Sequence, residues 1–265
     1  MNSITREEIL NKLQALAPWH MDIALPQGLS TGMGNQEHYA HDIFNDISLN
    51  KPYNLENFFS RLYGDNGLKG KRVLDVACNA GGYSFLASDM GASYCYAFDA
   101  RAHWINQAKL IQQLKGIPTD KLVFKQHPLS ELSVPQEKFD VALFFGIFYH
   151  LPNPIGALEL LAQSTNDMII INSASNPAIP AHTMSVKMEA TEPPMSGIDG
   201  LSWLPGGPEV VHRICRSLGF PYFHVVFERK TRNPSDTRKS AIANPHRGHF
   251  MTVVARREEM LASFK

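Results

Sequence analysis

Two stretches of this chain carry residue types at spacings that can do chemistry. The first is RVLDVACNAGGYSFLASDMGASYCYAFDAR, Arg72 to Arg101. An apolar run from Val73 to Val76 ends in a turn of small residues holding Asp75, Ala77, Asn79, Gly81 and Gly82, and an amphipathic pattern follows from Tyr83 to Met90. A second apolar run, Tyr94 to Phe98, ends on Asp99, about twenty residues beyond the turn. A tight turn lets backbone approach a ligand, and an acid at the next strand end accepts hydrogen bonds from ribose hydroxyls. The spacing therefore predicts a nucleotide-type site. Ala77 and Asn79 stand where a dinucleotide fingerprint has glycine. Close approach to a pyrophosphate depends on those glycines, so their loss argues against a dinucleotide.

The second stretch is FDVALFFGIFYHL, Phe139 to Leu151, an apolar run opened by Asp140 and closed by Gly146, Tyr149 and His150. In a doubly wound sheet, ligands sit outside the carboxyl ends of the strands, so this end is expected beside the first site. An imidazole titrates near 6.5 and can take a proton from a hydroxyl or amine, which makes His150 the first candidate base. The alternative is a histidine bonded only to structure. His20 and His182 are the next candidates, and Tyr149 is a positioning group. Trp19, His20 and His38 can line a substrate mouth or simply pack against the core. The histidines, the cysteines and the acids show no ligand spacing for a metal.

These residues need elements to hold them. Strands are expected near 71 to 76, 93 to 99, 121 to 126, 139 to 146, 167 to 173, 221 to 228 and 249 to 256, and helices near 80 to 90, 103 to 116, 153 to 163 and 207 to 219. Alternation of that kind predicts an α/β, Rossmann-like, doubly wound sheet. Ahead of it, Thr5 with Glu8 reads as a capping box for a helix with Ile9, Leu10, Leu13 and Leu16 on one face. Residues 18 to 34 read as an ordered loop with turns at Pro26 to Gly28 and Thr31 to Gly34. A second helix spans 53 to 66. The chain thus divides into an N-terminal helical cap and leader, 1–68, and a main domain, 69–265, with insertions at 174–206 and 229–248. The first insertion, with five prolines and no period, is expected to be a loop acting as lid or substrate wall.

Composition narrows the class. The 265 residues, 44% of them hydrophobic, suffice for one large core. No run of 18 apolar residues suggests a membrane span, and the N-terminus lacks a secretion pattern. With 25 basic and 25 acidic residues the net charge is zero, so no overall nucleic-acid footprint exists. A basic stretch, ERKTRNPSDTRKSAIANPHR at 228 to 247, can grip phosphates or simply be solvated. The three cysteines, Cys78, Cys95 and Cys215, read as buried thiols of a cytoplasmic protein.

Taken together, VLDVACNAGGYSF, AFDA and FDVALFFGIFYHLPNPIGALELLA resemble class I S-adenosylmethionine (SAM)-dependent methyltransferases. They are most similar to the branch that includes the tRNA wobble-uridine carboxymethyltransferase and its methyltransferase relatives. The likeness spans roughly 18 to 256 and includes LSWLPGGPEVVHRICRSLGF and FMTVVARR. It implies a seven-stranded, mostly parallel sheet with an antiparallel last strand, and SAM as cofactor with S-adenosylhomocysteine as product. It places Asp75, Ala77, Asn79 and Gly81 around the methionine end and Asp99, Ala100 and Arg101 at the ribose. Leu129 and Ser130 would frame adenine, and Phe145, Gly146 and Tyr149 would form the pocket wall. Class I enzymes often carry an acid near position 128, where this chain has His127 and Pro128. The basic residues with which the carboxymethyl branch reads its modified cofactor also lack counterparts. No Lys or Arg occurs from 18 to 50, and Phe250 stands where the terminal strand would carry Arg. Ordinary SAM and a small-molecule O or N acceptor are the resulting expectation. A tRNA acceptor is the second, and a non-catalytic binding protein of the same fold the third. The oligomeric state is not legible.

Overall fold

The structure, a computed structural model, describes residues 4–35, 45–46, 55–64, 67–193, 195–229 and 249–259. His38 and the basic stretch from 230 to 247 lie outside them. Among the described residues, the strands of five residues or more are β1 (Arg72–Val76), β2 (Tyr94–Asp99), β3 (Leu122–Gln126), β4 (Phe139–Phe145), β5 (Thr165–Ala174), β6 (Met184–Met188), β7 (Leu201–Pro205), β8 (Tyr222–Arg229) and β9 (Phe250–Arg256). The helices are α1 (Arg6–Ala15), α2 (Leu55–Tyr63), α3 (Gly82–Asp89), α4 (Ala102–Lys115), α5 (Pro154–Ser164) and α6 (Pro208–Ser217).

Seven strands make one sheet in the order β8-β9-β5-β4-β1-β2-β3. β4 runs parallel to β1 and β5, and β2 runs parallel to β3. β9 alone is antiparallel, to β5 on one side and β8 on the other. The mostly parallel sheet with an antiparallel last strand is therefore as expected. Its central strands are continuous apolar runs because parallel strands bury both faces. Val141 to Phe144 of β4 and Met168 to Ile171 of β5 are all buried.

By contact the chain forms two compact units, Met1–Gly70 with Cys78–Pro128, and Lys71–Ala77 with Leu129–Lys265. In the first, α1 is closed by the expected capping box: the Thr5 hydroxyl accepts the Glu8 N–H at 3.2 Å and Glu8 accepts the Thr5 N–H at 2.7 Å. Ile9 and Leu13 are buried, and the Trp19 indole donates to the Leu13 carbonyl at 2.7 Å. The leader is tied to α4, where the Gln107 amide donates to the carbonyls of Leu16 at 2.6 Å and Pro18 at 2.9 Å. In α2, Phe58, Phe59 and Leu62 are buried.

In the second unit the segment 174–206 departs from expectation. Its prolines read as a loop, yet β6 and β7 pair as an antiparallel ribbon from Met184↔Pro205 to Met188↔Leu201. The prolines leave those pairs intact. Pro205 is the terminal residue of β7, where its missing donor costs nothing to the ladder, and its carbonyl accepts the Asn176 N–H at 2.8 Å. All three cysteines are buried and outside any disulfide, and burial pushes the Cys215 thiol up to about 12.

Candidate active site

The turn after β1 shows how the chain manages without glycine at two positions. Ala77, Asn79 and Gly81 all take left-handed backbone, with φ of 56°, 51° and 81°. Asparagine tolerates this region because its short amide bonds locally. Here its Oδ1 accepts the Ala80 N–H at 2.7 Å. The turn is further held by Cys78 N–H to the Phe98 carbonyl at 3.0 Å and Gly81 N–H to the Cys78 carbonyl at 2.9 Å. Gly81 is required twice over: besides its φ, a Cβ there would lie 2.7 Å from the Phe124 ring. Asp75, in β1 opposite Leu143 of β4, is buried.

Asp99 closes β2 and is 8% exposed. One carboxylate oxygen accepts the Asn79 N–H at 3.0 Å and the other the Arg101 N–H at 2.9 Å. Burial pushes its pKa up, while those two amides and the Arg101 charge pull it back. Each oxygen retains a second lone pair, so the carboxylate can brace the turn and still accept from a diol. Arg101 caps α4, and the Ala100 carbonyl takes a long bond, 3.4 Å, from Gln126.

Next to this cradle, Phe98 stacks on the His127 ring with centroids 4.2 Å apart. The Pro128 carbonyl lies 2.9 Å from His127 Nδ1 and can only accept, so Nδ1 carries the proton. Nε2 then accepts from the Tyr96 hydroxyl, also at 2.9 Å, while burial, reinforced by Tyr94, pushes the Tyr96 phenol up. Both His127 nitrogens are thus engaged with protein. Leu129 and Ser130 lie in the short turn Leu129–Glu131, with Ser130 exposed.

In the second unit, Phe145 ends β4 and Gly146 follows with φ 71°, its N–H donating to the Asn172 carbonyl of β5 at 2.9 Å. The turn Phe148–His150 comes next. The Tyr149 ring stands 6.4 Å from Phe250 of β9, edge-on, and its carbonyl accepts the Ser202 hydroxyl of β7. His150 is buried, and its Nδ1 is 2.7 Å from a carboxylate oxygen of Glu189, just beyond β6. The Gly197 N–H lies 3.1 Å from that nitrogen and 3.3 Å from the same oxygen. One ring nitrogen cannot both donate and accept. The shorter, charge-assisted contact assigns the Nδ1 proton to Glu189, and the Gly197 amide then donates to the carboxylate. Burial alone would push Glu189 up, but the hydrogen bond and charge of His150, the Gly197 amide and Lys187 together hold it below the ordinary carboxylate range.

Two further candidate histidines are His20 and His182. His20 packs in the first unit, 6.5 Å from the Trp104 ring, and burial lowers its pKa to about 4. At neutral pH it is uncharged and a weak proton acceptor. His182 is exposed on the turn before β6. Sequence reasoning missed Glu189, Gly197 and Ser202. The partners are 39, 47 and 53 positions from the residues they contact, and nothing in local spacing signals them.

Sheet order and strand directions together define the fold of class I SAM-dependent methyltransferases. The solved structures that it resembles include the N-terminal domain of EvdMO1 with S-adenosylhomocysteine and D-fucose, at TM-score 0.69 and 15% identity over 96% of this chain and 98% of that one. Another is magnesium protoporphyrin IX methyltransferase from Synechocystis PCC 6803 with SAM, at TM-score 0.54 and 15% identity over 84% and 86%. Residues 39–178, just over half of the chain, match the family model described as Methyltransferase domain, and the chain belongs to that family. Among curated relatives, tRNA U34 carboxymethyltransferases of Campylobacter lari and Pseudomonas putida are 30% and 28% identical over 60% and 59% of this chain. The matched parts span 48% and 43% of those relatives, less than half of their length.

Proposed function

We propose that this chain transfers a methyl group from SAM to an oxygen or nitrogen of a small molecule. The observation that carries the reading is the Asp99 cradle: a buried carboxylate at the end of β2, bonded to the turn that follows β1, in a chain of the methyltransferase family. Bound SAM would supply a methyl group already activated on a sulfonium. The residues then bind and orient, and well-oriented reactants recover ~7 to 11 kcal/mol of barrier. Asp99 accepts the ribose hydroxyls on its remaining lone pairs. Asp75, Ala77, Asn79 and Gly81 shape the methionine end, with Ala100 and Arg101 at the ribose and Leu129 and Ser130 at the adenine. His150 takes the proton of the nucleophile, and Tyr149, Phe145 and Gly146 wall the acceptor. The Phe250 ring, edge-on to Tyr149, supports ordinary SAM, since an aromatic cannot pair with an extra carboxylate on the cofactor.

The curated relatives favour a second reading, a tRNA uridine acceptor. Mass spectrometry of co-purified ligand, calorimetry with SAM and S-adenosylhomocysteine, and transfer of labelled methyl to small molecules and bulk tRNA test both. The first reading expects SAM binding and label on small molecules. Label on tRNA, with binding that weakens steeply as salt rises, would replace it by the second. Absence of SAM and S-adenosylhomocysteine binding would overturn both in favour of a non-catalytic protein of this fold.

A further inference from the structure

We propose that Glu189 is a positioning residue that holds His150 as a proton acceptor through Nε2, and that the methyl acceptor is a neutral hydroxyl, an alcohol or phenol. The inference rests on the methyltransferase reading above. Its structural part stands on the ribbon β6–β7, which delivers two groups to one imidazole. Glu189 follows β6 directly, 2.7 Å from His150 Nδ1, and both side chains are largely enclosed, at 11% and 14% exposed for His150 and Glu189. Gly197, in the connection to β7, brings its amide to the same carboxylate. Its lack of a side chain is what permits this approach, because a Cβ there would fall 2.6 Å from the His150 carbonyl oxygen. With Nδ1–H committed to Glu189, the other nitrogen keeps its lone pair, and the ring is fixed in one tautomer and orientation.

This arrangement selects among acceptors. A carboxylate arrives ionised, needs no base, and would meet the negative charge of Glu189. A neutral amine can attack first and shed its proton afterwards. A hydroxyl differs, since attack without proton loss gives a protonated ether, a strong acid. Its proton therefore passes to Nε2 as the oxygen lone pair forms the O–CH3 bond and the C–S bonding pair leaves on sulfur. One positive charge is lost from the sulfonium and one appears on the imidazole, where Glu189 compensates it. Among the described residues, the charged and titratable groups in contact with His150 or its carboxylate partner include Glu189 itself, Lys187 acting on that carboxylate, and the Tyr149 phenol on the same turn. The neighbouring Gly146 and Tyr149 meet Asn172 of β5, Ser202 of β7 and Phe250 of β9, none of which is charged at neutral pH.

Histidine NMR on the full chain tests the positioning role without any acceptor. In the parent protein His150 should show the Nδ1–H tautomer. Glu189→Gln should lose that preference, with SAM affinity unchanged. Gly197→Ala, which keeps the carboxylate but crowds the ribbon, should also disturb the tautomer. Identical His150 spectra in the parent and both variants would overturn the positioning role. For the acceptor, labelled SAM is supplied with alcohols and phenols beside carboxylic acids of matched size. Methylation of hydroxyls, with kcat at least about tenfold lower in Glu189→Gln, is expected. Methylation of the carboxylic acids instead, or of no hydroxyl, would overturn the acceptor class. Failure of SAM to bind the parent protein would count against the methyltransferase reading and leave the NMR result to judge the positioning role by itself.

Discussion

At the scale of single residues, Asp99 has two roles that substitution can separate. Its oxygens hold the Asn79 and Arg101 amides, and an unpaired buried amide costs ~1 to 3 kcal/mol. Asp99→Ala should therefore lower stability by about 2 kcal/mol or more in urea unfolding and weaken SAM at least tenfold by calorimetry. Unchanged SAM affinity with lowered stability would leave Asp99 as a brace alone. His20 makes a second prediction, through pH. Its pKa falls from 6.5 unfolded to about 4 folded, so below 6.5 the unfolded chain gains a proton that the folded chain refuses. The resulting stability is complete above 6.5 and is lost as pH falls toward 4, by about 3 kcal/mol at ~1.4 per pH unit. In His20→Phe that part of the acid loss should vanish, measured as the difference between the two proteins' urea midpoints from pH 7 to 4.

At the scale of elements, the β1–α3 turn concentrates backbone strain in a few residues. Gly81→Ala would place a methyl 2.7 Å from the Phe124 ring at a φ of 81°, and a loss of at least ~2 kcal/mol is expected from crowding and left-handed strain together. Ala77→Gly works in the other direction. Relief of an alanine at φ 56° should be neutral or stabilising by up to ~1 kcal/mol, despite the added freedom of the unfolded chain. Thermal melts of the two variants check both signs, and a stabilised Gly81→Ala would contradict this account of the turn. The ribbon β6–β7 is the other element that matters, because it carries Glu189, Gly197 and Ser202 to the turn Phe148–His150.

For the whole molecule, cofactor binding should appear as stability. A ligand that binds only the folded chain adds ~2.7 kcal/mol at 100 times its Kd, roughly 5 to 10 °C in Tm for a protein of this size. SAM and S-adenosylhomocysteine should each raise Tm in a saturable way, and NAD should not, given Ala77 and Asn79 in the turn. A shift produced by NAD alone would overturn the cofactor assignment. Among the described residues no helix is long and apolar enough to cross a membrane.

Much of this was legible in the residues themselves. The seven sheet strands and the helices α1 and α3 to α6 fall within about two residues of their expected positions, because each is an apolar or amphipathic run bounded by glycine, proline, aspartate or asparagine, and those periods are local. The capping box at Thr5 and the placement of Asp99 at a strand end were readable for the same reason. Tertiary structure alone decided the rest. Ala77 carries no mark of left-handed backbone, which is imposed by the turn's bonds to Phe98 and Asp99. The ribbon within 174–206 forms because β6 finds a partner thirteen residues further on, beyond the reach of any period. Glu189 and His150 meet across 39 positions, since a hydrogen bond between side chains depends on where packing brings them and not on their order along the chain.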